Sequence, residues 1–259
     1  MNWKKISPVI LTLLIFFLTQ VFGTVLLYGV GMGTTSFALV LTGVNILAVL
    51  CCHFLLHNIS FATACDASLI KWNPGMLAIV GGLLGAMSIS FLTAEVKFPE
   101  DMVQLMLDMA RNPWGLFVLI IVGPITEELL FREGIEGEML RRGVRPWTAI
   151  IVSALVFSFV HLNLAQSLYA FPLGIMLAII YYRSNSIVLT SLLHMLNNGI
   201  VVIQLHTMGE EAVNASPAEM FGSETAAWIF MALFGLLSIV LLRMFWNLYP
   251  QSKEQKENT

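Results

Sequence analysis

The chain has 259 residues, 58% of them hydrophobic and only 11% charged, whereas a soluble domain carries about 25% charged residues. That composition argues against a soluble domain and for an all-α, polytopic membrane protein built as one membrane domain. A net charge of −3 is too small to suggest a nucleic-acid partner; the partner it implies is the lipid bilayer.

Taken in chain order, eight apolar stretches approach the roughly 20 residues that cross a bilayer as a helix. They are residues 8–30, 36–56, 75–94, 114–131, 147–162, 167–182, 186–205 and 226–246. The first follows Lys4 and Lys5 and is longer than the core of a secretory signal. No small-residue cleavage site follows it, so we expect a span that stays attached. Gly81 and Gly85 in the third stretch form a GxxxG pattern that lets helices pack closely. Residues 98–111 form either an interfacial amphipathic helix or a plain loop helix. The fourth stretch is expected to run on as a cytoplasmic helix through "REGIEGEMLRR", ended by Gly143 and Pro146, with Glu133 its first solvated residue. The organisation is then 1–113, three spans and the interfacial helix; 114–205, a core of spans four to seven; 206–249, an outer loop and the last span; and 250–259, a polar tail expected to be disordered.

Placing the N-terminus in the cytoplasm puts eleven of the thirteen Lys and Arg residues inside and leaves Lys97 and Arg111 outside. The last outer loop carries Glu210, Glu211, Glu219 and Glu224 and no basic residue. This is the positive-inside pattern, with both termini cytoplasmic.

The later stretches contain polar residues where these are costly: Glu127, Glu128, Arg132, His161, Asn163, His194, Asn197 and Asn198. Ionisable groups at membrane depth are functional candidates. Glu128 and Arg132 are four residues apart and can pair on one helix face. Glu127 is about 100° around the helix and free to point elsewhere. Phe157 and His161 share a face in the same way, as do His194 and Asn198. Helix arithmetic at about 1.5 Å per residue puts Glu127, His161 and His194 on one layer. Glu127 with His161 can hold and deprotonate a water. His194 with Asn198 can donate hydrogen bonds to an oxyanion. Together they suit amide hydrolysis.

The competing reading is zinc, bound by Glu127, His161 and His194, although there is no HExxH and no i, i+4 His pair. Cys51, Cys52 and His53 are adjacent and cannot all face one ion from a helix. The three cysteines, with Cys65, are expected to be reduced. His57 and His206 read as residues near span ends.

In order, "EELLFR" (Glu127, Glu128, Arg132), "FSFVH" (Phe157, His161) and "HMLNN" (His194, Asn198) match EExxxR, FxxxH and HxxxN motifs. Residues 114–203 thereby resemble the CAAX protease and bacteriocin-processing family, also called the ABI family, of intramembrane glutamate proteases. The resemblance implies an all-helical fold and a site open to the cytoplasm. It implies that Glu127 activates water with help from His161, that His194 and Asn198 hold the oxyanion, and that Glu128, Arg132 and Phe157 support them. It implies no cofactor, and a peptide or membrane-anchored protein as substrate, in the plasma membrane of a bacterium. The rival function is a non-proteolytic scaffold, regulator or bacteriocin-immunity protein of the same fold. A proton-relay transporter is a third reading, disfavoured because no inverted repeat shows.

Overall fold

The computed structural model describes residues 3–30, 33–211 and 215–249; the tail 250–259 lies outside them. Among the described residues the chain is helical and contains no strand. We label the principal helices α1 (Trp3–Val30), α2 (Thr34–Cys51), α3 (Trp72–Thr93), α4 (Glu100–Arg111), α5 (Pro113–Arg141), α6 (Pro146–Phe159), α7 (Leu164–Ser184), α8 (Ile187–Met208) and α9 (Glu224–Leu248). All but α4 and α6 contain a stretch long and apolar enough to cross a membrane, which makes this an integral, multi-pass membrane protein.

Two expected boundaries change. The fifth stretch is a helix of only 14 residues, about 21 Å long, too short to cross a hydrocarbon core of about 30 Å. It turns back through residues 160–163 and packs antiparallel along α7. Asn163 stops the turn by capping α7, its Oδ1 accepting from the Gln166 N–H at 3.0 Å. Leu162 takes a left-handed backbone, φ 52°, which is unusual for a branched side chain.

The fourth stretch differs more. It runs to Arg141 as one helix whose middle is not regular. Five residues, Val118–Val122, and nine, Leu129–Gly137, wind as π-helix on either side of a short α segment, Gly123–Glu128. Every residue from Leu129 to Gly137 is buried. The expected solvated extension is thus the centre of the molecule, where Leu130, Phe131 and Ile135 meet Val49 and Cys52 of the α2 helix and its π-helical end, Ala149 of α6 and Tyr181 of α7. Of the three charged side chains in Leu129–Gly137, two are paired there, Arg132 with Glu128 and Glu133 with Arg141. Glu133, expected to be solvated, accepts from Tyr181 Oη at 2.6 Å and from Arg141 Nη1 at 3.1 Å.

α1, α2, α7 and α8 contact α5, whereas α3 packs on α7, α8 and α9. α3 lies against α9 through small residues. A Cβ at Gly81 would lie 3.0 Å from Leu241 Cβ, and one at Gly85 would lie 2.7 Å from Ser238 Oγ. Gly81 and Gly85 therefore act as the GxxxG pattern suggested. α4 is amphipathic, burying Val103 and Leu107 against Leu205 of α8. Large apolar side chains such as Val25, Leu233 and Ile239 are more than half exposed, as a surface facing lipid requires.

Candidate active site

The site forms where α5, α6 and α8 meet. Within α5, neighbouring Glu127 and Glu128 take opposite surroundings. The Glu127 side chain is 29% exposed and that of Glu128 is fully buried. Glu128 is held on both sides: Oε2 accepts from Arg132 Nε at 3.1 Å, and Oε1 lies 3.0 Å from His194 Nδ1. Arg132 is itself wholly buried. Its Nη1 donates to Ser153 Oγ at 2.9 Å, and its guanidinium sits 5.0 Å from the Phe157 ring centroid. Ser153 passes the contact on by donating to the Phe131 carbonyl at 2.9 Å. An ion pair this deep holds only while both partners are present.

His194 bridges the two glutamates. With Nδ1 on Glu128, its Nε2 is 3.7 Å from Glu127 Oε2. The acceptor at Nδ1 fixes the tautomer: Nδ1 carries hydrogen, and Nε2 is the nitrogen presented to Glu127. His161 comes from the end of α6, where Nδ1 donates to the Phe157 carbonyl at 2.7 Å, which leaves its Nε2 as the free nitrogen. The Phe157 ring packs edge-on against both imidazoles, its centroid 5.1 Å from the His161 ring and 5.8 Å from the His194 ring. Close packing at Gly174 makes room for it, since a Cβ there would lie 3.1 Å from Phe157 Cδ1. The histidine paired with Glu127 is His194, and His161 reaches the cluster through its contact with Phe157. Helix arithmetic gave levels along the axis, but not which way each side chain turns.

Asn198 lies one turn beyond His194, half-buried, with Nδ2 donating to the Leu119 carbonyl of α5 at 3.0 Å. Its Oδ1 accepts from Asn197 Nδ2 at 3.3 Å, and Asn197 Oδ1 accepts from Tyr169 Oη at 2.7 Å. Asn163 is a helix cap outside this constellation. His53 and His206 bond nearby carbonyls, of Ile59 at 2.7 Å and Val202 at 3.1 Å. His57 closes the π turn Cys52–Leu56.

Sequence reading passed over Ser153, Tyr169, Tyr181 and Glu136. Glu136 is fully buried, and neither carboxylate oxygen has a hydrogen-bond partner among the described residues. Its run of glycines and acids was a usable signal: "EGIEGE" is too charged for a span yet continues one without a turn. Among the described residues no group of three His, Cys, Asp or Glu side chains is arranged to hold a metal ion. Glu127, His161 and His194 do not form such a group, and both nitrogens of His194 face carboxylates.

The fold and site define a class: an all-α membrane protein with a glutamate–histidine–glutamate cluster in its helical core. Residues 110–200, which hold all three motifs, match the family model described as type II CAAX prenyl endopeptidase Rce1-like. The chain is 33% identical to the membrane-embedded CAAX protease MroQ of Staphylococcus aureus over 36% of its own length and 40% of that protein. It is 30% identical to the putative membrane peptidase YdiL of Bacillus subtilis over 45% of its own length and 48% of that protein. It is also 30% identical to the UPF0177 protein YbdJ of Lactococcus lactis, over 35% and 39% respectively. The chain thus spans less than half the length of each of these relatives. No solved structure matches it. These matches support the CAAX protease and bacteriocin-processing family, the one its motifs resemble.

Proposed function

We propose that the protein is an intramembrane endopeptidase that hydrolyses peptide bonds of membrane-associated peptides or proteins. The observation that carries this reading is His194 set between Glu127 and Glu128, with Nδ1 toward the buried carboxylate and Nε2 toward the accessible one. Glu127 removes a proton from water as the oxygen attacks the peptide carbonyl, and His161 Nε2 steadies that water as an acceptor. The proton moves from Glu127 to His194 Nε2. With both ring nitrogens then carrying hydrogen, His194 donates to the oxyanion and afterwards protonates the leaving amine, leaving a carboxylic acid and an amine as products. Glu128, fixed by Arg132, keeps His194 in the tautomer this needs. No metal takes part in this scheme.

The bacterial relatives and the distribution of basic residues support a place in a bacterial plasma membrane with both termini in the cytoplasm. Because α6 and α7 form a hairpin, the termini share one side as they would with eight full spans.

The test compares the membrane peptidomes of cells carrying the wild type and Glu127→Ala. Substrates should accumulate uncut in the variant, and His161→Ala should reproduce the pattern. Identical peptidomes for wild type and both variants, at equal protein levels, would overturn the reading. Exhaustive chelation of the purified protein should leave cleavage unchanged.

A further inference from the structure

We infer that Asn198 is a positioning residue, which fastens α8 to a carbonyl that Pro124 leaves without a backbone donor, and so sets His194 against Glu127. The covalent structure of α5 creates the need for this bond. In its first π turn the Gly123 N–H donates to the Val118 carbonyl, five residues back. The next carbonyl, Leu119, would take the N–H of residue 124 in the same register, but residue 124 is proline and has none. A carbonyl freed within a membrane-spanning helix needs a partner. Asn198 Nδ2 supplies it at 3.0 Å.

This bond makes α5 and α8 touch at two points. Asn198 meets Leu119, and one turn earlier on α8 His194 meets Glu127 and Glu128. Because residue numbers rise on α5 as they fall on α8 between the two contacts, the helices run antiparallel and the pair fixes their register. The 3.7 Å separation of His194 Nε2 from Glu127 Oε2 depends on that register, and Asn198 influences the reaction through it. The kinetic half of this inference rests on the peptidase reading; the hydrogen bond itself does not.

Removing Pro124 tests it. Pro124→Ala restores an N–H, and the Leu119 carbonyl gains a backbone donor: residue 124 if the π register stays, Gly123 if the helix relaxes to α. Asn198→Leu, which keeps the volume and loses the donor, should lower kcat at least about tenfold with KM little changed, the expected size for a misplacement of well under 1 Å. It should also lower the Tm of the full-length protein in detergent. In the Pro124→Ala background the same change should lower kcat less than about threefold, and its Tm loss should shrink, because the two positions share one carbonyl.

Equal kcat losses in both backgrounds, with folded protein, would overturn the positioning role and leave Asn198 as a group that touches the reacting carbonyl. A Tm loss unaltered by Pro124→Ala would overturn the clamp itself. So would a kcat loss beyond about tenfold in Pro124→Ala alone, which would show that the site needs the bent register and not the bond. The Tm cycle requires no substrate. A clamp that couples in Tm, in a protein that cleaves nothing, would refute the peptidase reading and not the bond.

Discussion

α5 and α9 invert the rule learned from soluble proteins. α5 carries Glu127, Glu128, Arg132, Glu133, Glu136, Glu138 and Arg141, and half of its most apolar stretch is buried. α9 is almost wholly apolar along its length, and only 11% of the corresponding stretch is buried. In lipid, apolar side chains gain nothing by hiding from their surroundings, whereas charges gain by finding one another. The interior is where the ions are, and the lipid face is where composition is nearly free.

That contrast can be broken most severely at Glu127. Glu127→Gln should reduce turnover by about a thousandfold or more, as expected for loss of a general base, while Tm stays near wild type because the group is part-exposed. Cleavage assays and thermal unfolding of one preparation separate the two effects. Next comes Arg132→Met. It strands Glu128 in a dry interior, and the expected loss is about 3–5 kcal/mol of stability, read from thermal unfolding in detergent. Little loss would mean that α5 is not held by its ions. Gly85→Leu tests the seat of α9 on α3, since its side chain would enter the space of Ser238 and Met176. About 1–3 kcal/mol should be lost. Ile239→Leu, on the lipid face of α9, should fall within about 0.5 kcal/mol of wild type.

The smallest effect lies outside the spans. Ser216 donates its backbone N–H and its hydroxyl to Glu219, forming a capping box on the helix Pro217–Phe221 and holding that carboxyl below its usual range. The folded value is the lower one. Its small contribution is therefore present above the ordinary glutamate range and fades as pH falls through the depressed value. The exchange protection factors of the amides at 216 and 218–220 should fall there, with no change in the core.

The all-helical architecture was legible because runs of apolar residues near bilayer length have few other uses. Glu127, Glu128, Arg132 and His194, which the structure brings together, were legible as candidates because they stand in such runs. Which histidine adjoins Glu127 was not. It follows from azimuth, and the azimuth of α5 is set by π turns that no side-chain pattern announces. The same turns hid the burial of Glu133, because a periodicity of 3.6 gave "REGIEG" a solvated face that those residues do not have. The length of α6 was misjudged by two residues because Val160 and His161 are apolar enough, or costly enough, to look like membrane helix, while the turn is signalled only by Asn163.

The two π turns make the site a matter of chain length as well as residue type. A π turn is what an α-helix becomes when it absorbs one extra residue. Deleting a single residue from Val118–Val122 would leave hydropathy, span and the EExxxR spacing untouched. It would return that turn to α register and swing Glu127 and Glu128 by about 100° about the axis relative to the helix before them. The motifs would still read correctly along the chain, and the carboxylates would no longer face His194.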